Sequence, residues 1–362
     1  VPVRTTTLTP WRLTALLSAG ALATLTACSG SPDPGPSTAA PVTAGPSIDA
    51  DKTPAPTPSV EPVWPLTGVA VKGDVVNRAA LAVKIENTSM ARPQTGLDEA
   101  DVVWETVVEF QVSRFIAVFH SKVPDEVGPI RSVRPMDPII LAPMHGLLAF
   151  SGGQAGILPL IPKNGIQPLS NDRGTPGMYR THDRAAPHNV YGTPKTFWKS
   201  ANEDHQDSPG EQFLFAREAD QATAVMSGSS ATKLTYHLSA AANPQWSWDG
   251  DANKWLRSEG TAPATARNGK RLSATNVVTI VAAHPDSGFN AQGGAPVPTY
   301  KLVGHGTGLI ATGGKTIKVE WKKAANDQPL RLFLENGDPA TLAPGNTWVE
   351  LVPKEDGSFK VS

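Results

Sequence analysis

The chain has 362 residues with 32 basic and 33 acidic side chains, a formal charge of −1, so it lacks the global basic field that nucleic-acid binding draws on. A single cysteine excludes an internal disulfide framework. Stability must therefore come from burial, and 40% hydrophobic residues over this length supply the apolar mass for about two ordinary cores.

At the N-terminus, Arg4 and Arg12 precede or flank an apolar run from Leu13 to Leu25, and "LTAC" (Leu25 to Cys28) is followed by Ser29 and Gly30. A positive segment, a short apolar run and small residues before the cut describe a secretory signal peptide over residues 1–27. The cysteine at the cut makes it a bacterial lipoprotein signal. Cleavage before Cys28 frees its amine and leaves its thiol to carry diacylglycerol, whose fatty chains (palmitate, for example) would hold the protein to the cell membrane on its extracytoplasmic face. The alternative is a plain signal peptide with an incidental cysteine. Residues 28–61 are rich in Pro, Ser, Thr and Ala and hold no aromatic residue. They cannot bury enough apolar area to offset ordering entropy, and they read as a disordered, partly polyproline-like tether.

The folded part begins near Pro62. "LAVKIEN" (81–87) predicts a strand, and the Val-Val pairs of "ADVVWETVVEFQVSRFIAVFHS" (100–121) predict two strands joined near Gln111 to Ser113. Residues 138–161 carry no Asp, Glu, Lys or Arg, but Pro138, Pro143, Pro159, His145 and four glycines argue against a membrane span. A short helix, a buried strand and a glycine turn are expected there, with a further helix over "QAGILPLI". Alternating strands and helices make residues 62–228 an α/β domain. After about Ser227 the texture becomes short alternating runs separated by Gly-Gly and Asn336-Gly337 turns, which predicts a mostly antiparallel β domain over residues 229–362.

Chemistry concentrates in the α/β half. Arg114, Arg131, Arg134, Arg173, Arg180 and Arg184 fall at element ends or in loops, and arginine offers planar bidentate donors for phosphate or carboxylate. In "GPIRSVRP" (128–135), Ser132 is expected to cap a helix, with Arg131 and Arg134 facing one concave site. Two partners are open: a bound anion, or the acidic residues of "LDEAD", with Glu105 and Asp101 as the carboxylates to be stranded if an arginine is lost. Glu105 and Glu109 are expected on one face of a strand, about 13 Å apart, too far for a paired-carboxylate glycosidase. Either could still pair with an arginine or act as a base. His188 beside Asn189 is a candidate acid, or a loop-satisfying pair. His182 and Asp183 lie close by, yet no H-E-x-x-H or cysteine-containing spacing indicates a metal. No P-loop or G-x-S-x-G motif is present, and nothing calls for a cofactor. "GHGTG" (304–308) is expected to mark a bulge or turn. Trp246, Trp248 and Trp255 are expected to pack across a hairpin rather than stack on carbohydrate.

The segments "PLTG" (65–68), "ARPQTGLDEADVVWE" (91–105), "SRFIAVF" (113–119), "VGPIRSVRP" (127–135), "FSGGQ" (150–154), "APHNVY" (186–191), "ATNVVTIVA" (274–282) and "PGNTWVELVP" (344–353) together resemble the YerB-like lipoproteins, the DUF3048 family. The resemblance implies a two-part architecture and an extracytoplasmic lipoprotein, and it carries no settled activity. Ser151-Gly152-Gly153-Gln154 departs from the Ala-Gly-Gly-Ser type of turn common in that family. The expectation is an envelope lipoprotein that binds an anionic ligand, such as a phosphate- or carboxylate-bearing wall polymer, through Arg114, Arg131, Arg134, Arg184 and Asn189. The alternatives are an envelope-polymer hydrolase or transferase using Glu105, Glu109 or His188, and a scaffold for other envelope proteins.

Overall fold

The computed structural model describes residues 61–74 and 76–362; Cys28 and the tether as far as residue 60 lie outside them. Five strands open the fold: β1 (Leu81–Glu86), β2 (Val102–Val107), β3 (Ser113–Phe119), β4 (Leu147–Phe150) and β5 (Gln167–Ser170), with a helix, α1 (Met136–Leu141), between β3 and β4. Every residue of β1, β2 and β3 is buried, because both faces of the sheet are covered. β1 and β2 pair antiparallel with β3, while β4 runs parallel to β1 and β5 parallel to β4.

These strands are half of an 11-stranded mixed sheet whose order is Arg331–Phe333, Lys315–Lys323, Gly304–Thr312, Asn276–Ala282, Thr347–Pro353, β2, β3, β1, β4, β5, with Ser229–Ser230 added beside Lys315–Lys323. The join is the parallel pairing of β2 with Thr347–Pro353. The expected change of texture is real: among the described residues the α-helices are confined to the first part and hairpins fill the second. The expected separation into two cores at residue 228 gives way to one sheet. Its buried apolar residues from both parts form one cluster, and Ser59–Ser362 is one compact unit.

A second, 6-stranded sheet is built around Lys233–His237, Pro244–Asp249 and Lys254–Glu259. It covers one face of the main sheet. Trp248 stands opposite Trp255 across its central hairpin, and Trp246 and Trp255 are fully buried, so these tryptophans pack as expected. "GHGTG" is continuous strand instead of a turn, in a hairpin closed by Gly313-Gly314 at φ +59° and +69°. Its glycines make room for neighbours: a Cβ at Gly306 would lie 2.6 Å from Nε1 of the facing Trp321. The helix expected over "QAGILPLI" shrinks to Leu160–Lys163, after Gly156 packs against Phe289 and Pro159 begins the turn. No helix among the described residues is long and apolar enough to cross a membrane.

Candidate functional site

Strand alternation sorts the charged residues onto opposite faces. Under the second sheet, Arg257 is wholly buried and donates to Glu105 Oε2 at 2.7 Å, Glu350 Oε1 at 2.8 Å and Glu259 Oε1 at 2.9 Å. Its guanidinium also lies 4.7 Å from the centre of the Trp348 ring. Glu105 and Glu350 are direct neighbours on parallel strands. Burial, then the adjacent Glu105 charge, pushes the Glu350 carboxyl well above its ordinary range.

On the other face, Lys84 Nζ lies 2.8 Å from Asp137 Oδ1 with both side chains fully buried, which ties α1 to β1. Burial pushes the Lys84 amine down to about 8, against the opposing pull of Asp137. Asp137 Oδ2 also accepts from the Arg134 backbone N–H at 2.8 Å, and that bond sets where the Arg134 side chain begins. Glu109 then receives Arg134 Nε at Oε2, 2.6 Å away, and the Arg134 and Arg114 Nη2 groups at Oε1. Burial alone would raise the Glu109 carboxyl. The Arg134 hydrogen bond and the two arginine charges outweigh it and hold the group at about 2. Further donors are also engaged: Arg134 Nη1 bonds Val133 O, and Arg114 Nη1 bonds Ser132 O.

These groups form one wall of a cleft of about 650 Å³, which Glu86, Thr88, Phe110, Arg131, Gln154 and His188 also line. Here Arg131 differs from its neighbours. Its side chain is 22% exposed and its Nε sits 3.4 Å from Glu86 Oε2, but neither atom makes a hydrogen bond among the described residues. The other oxygen of Glu86 is taken by His188 Nδ1 at 2.8 Å and Thr88 Oγ1 at 2.8 Å. Three arginines against two glutamates leave the cleft with a positive excess.

The structure places Arg114, Arg131, Arg134, Glu109 and His188 along one cleft and separates the other candidate residues. Glu105 is not in the cleft. β2 ends at Val107, and the Glu109–Gln111 turn swings Glu109 to the opposite face, so the two carboxylates do not share a side. The partners of the cleft arginines are Glu109 and Glu86; Glu105 serves Arg257, and Asp101 accepts from the His120 and Ser121 backbone. Arg184 is spent on the Met90 and Pro93 carbonyls. Asn189 bonds Arg180 and the Thr181 carbonyl across a small hairpin. Ser132 does not cap α1; its hydroxyl donates to Ser151 O. Asp183 makes an exposed pair with Arg267. Glu86, Phe110 and Gln154 had not been singled out as site residues. For Glu86 a signal existed: charges at Lys84 and Glu86 alternate with apolar residues inside one short strand, and buried charges need partners.

The protein-of-unknown-function family DUF3048 matches twice: its N-terminal domain over residues 66–207 and its C-terminal domain over residues 233–349. The chain belongs to the DUF3048 family. It is 26% identical over 299 residues to the Bacillus subtilis (strain 168) protein named "Putative lipoprotein YerB", covering 81% of this chain and 87% of that one. The crystal structure of the YerB protein from Bacillus subtilis has the same fold, with a TM-score of 0.70 at 24% identity over 83% of this chain and 100% of the other. The two DUF3048 domains flank the change of texture near residue 228, so in this protein the two domains are two parts of one sheet.

Proposed function

We propose that this DUF3048 protein is a lipid-anchored, extracytoplasmic lipoprotein whose cleft binds an anionic group of a cell-envelope polymer, phosphate or carboxylate. The anchor follows from "LTAC" ahead of a Pro/Ser/Thr-rich tether and from the name of the Bacillus relative. Changing Cys28 to Ala should release the protein to the medium or leave it unprocessed; a variant that fractionates with membranes at its mature size contradicts the anchor.

One observation carries the binding reading. Arg131 is the least committed of the cleft arginines: Arg114 and Arg134 are hydrogen-bonded to Glu109 and to backbone carbonyls, while the Arg131 side chain has only an ionic contact with Glu86, makes no hydrogen bond among the described residues and lines a positive cleft. An anion there would gain charge-assisted hydrogen bonds from a guanidinium that spends none on its Glu86 contact. Cosedimentation with purified, phosphate-bearing wall polymer should retain the wild type and lose Arg131→Ala. Equal retention of both contradicts the reading.

A second reading, hydrolase or transferase, rests on the Glu86–His188 contact, in which a carboxylate orients an imidazole from its Nδ1 side. Glu109 does not support it, because a carboxyl held at about 2 is a poor proton carrier near neutral pH.

A further inference from the structure

A single phosphate or carboxylate fills little of a cleft of about 650 Å³, a volume in the range that organic ligands of many atoms occupy. Away from the arginines the lining turns apolar, with Phe110, Val112, Pro187 and Ala291. Phe110 is the most exposed aromatic side chain among the described residues, at 66%. Phe110 and Gln111 both hold left-handed backbone, φ +62° and +60°, a region that bulky residues rarely adopt. The turn is pinned on both sides. Glu109 is clamped by Arg114 and Arg134, and the Gln111 carbonyl accepts from Ser239 Oγ at 2.6 Å. The Val108 N–H closes it onto the Val112 carbonyl at 2.8 Å. A phenyl ring is thus fixed in solvent at the edge of a charged cleft, where a free loop would fold it away.

The cleft also carries neutral polar side chains beside its charged pairs. Gln154 makes no side-chain hydrogen bond among the described residues, and Thr88 and Ser132 donate to Glu86 and Ser151 O, keeping lone pairs free to accept. Such mixed donors and acceptors suit hydroxyl groups.

We infer that the cleft takes an acidic saccharide, a sugar ring bearing phosphate or carboxylate, with the anion on Arg131 and the ring face on Phe110. This rests on the anion reading of the same site and adds its ligand class. The C–H face of a sugar meets the negative face of the phenyl ring, while the ring hydroxyls reach Gln154, Thr88 and Ser132.

The test is titration calorimetry with inorganic phosphate, glucose 1-phosphate, glucuronate and phenyl phosphate on the wild type, Phe110→Asn, Phe110→Trp and Arg131→Ala. Asparagine keeps the left-handed backbone accessible while removing the ring. Glucose 1-phosphate, glucuronate or both should bind the wild type about tenfold more tightly than phosphate, and which of them does so identifies the acidic group. Phe110→Asn should lose that gain and bind phosphate unchanged, Phe110→Trp should keep the gain, and Arg131→Ala should lose all four ligands. If neither saccharide gains over phosphate, or the gain survives in Phe110→Asn, the saccharide inference falls while the anion reading stands. Tighter binding of phenyl phosphate than of either saccharide overturns the sugar assignment. If the wild type binds none of the four, the anion reading itself falls.

Discussion

Replacing Arg257 with methionine should be the most damaging single change available in the protein. The guanidinium is wholly buried and bridges Glu105 and Glu350, also wholly buried, at 2.7 and 2.8 Å. Methionine fills similar volume against Phe115, Trp246 and Trp348, so packing is largely kept and the loss is electrostatic. Breaking a buried pair by removing one partner costs roughly 3–5 kcal/mol, and with a second buried carboxyl beside the stranded one the cost falls at the upper end, about 5 kcal/mol. For a folded unit of this size that is a drop in Tm on the order of 10 °C. The variant also loses the pull of Arg257 that opposes the raised Glu350 carboxyl, so the folded variant binds more protons than its unfolded chain, and its stability rises as pH falls. Thermal melts should show a larger deficit at pH 8 than at pH 5. The triple variant Arg257→Met, Glu105→Gln, Glu350→Gln should recover most of the loss. A deficit below about 1 kcal/mol, or one that does not change with pH, would refute the account of this cluster.

Two further outcomes follow from the same geometry. Glu109 is held at about 2 against an ordinary 4.5, so its contribution is fully present above pH 4.5 and is lost as pH falls toward 2. The gap of roughly 3 kcal/mol between wild type and Glu109→Gln should close over that window in acid melts, and a gap that widens there contradicts the ion pair. A fragment ending at residue 228 lacks the Thr347–Pro353 strand that pairs with β2 and the second sheet that covers it. It should give no cooperative melt, and a sharp two-state transition would restore the idea of independent cores.

Local chemistry was legible in the sequence, and long-range pairing was not. The Val-Val runs of residues 100–121 placed β2 and β3 because β-branched residues and alternation act over a few positions. The same reasoning misplaced Glu109: periodicity continued the strand past Val107, where the chain turns through the left-handed Phe110 and Gln111. Arg131 and Arg134 were correctly brought to one cleft, but their carboxylate partners were sought nearby in "LDEAD" and proved to be Glu86 and Glu109. The single sheet was invisible because β2 and Thr347–Pro353 meet across most of the chain, and neither strand carries a local mark of its neighbour.

The central claim is that Arg131, which touches Glu86 without a hydrogen bond, is an anion-binding guanidinium beside arginines already spent on the fold. Its most direct test is calorimetric titration of inorganic phosphate into the wild type and Arg131→Ala at low and high salt, with thermal melts of both. The account predicts binding by the wild type that weakens with salt, no binding by Arg131→Ala, and only a small fall in the Tm of that variant, because Glu86 keeps His188 and Thr88. A large, phosphate-independent fall in the Tm of Arg131→Ala, or undiminished binding by that variant, would contradict it.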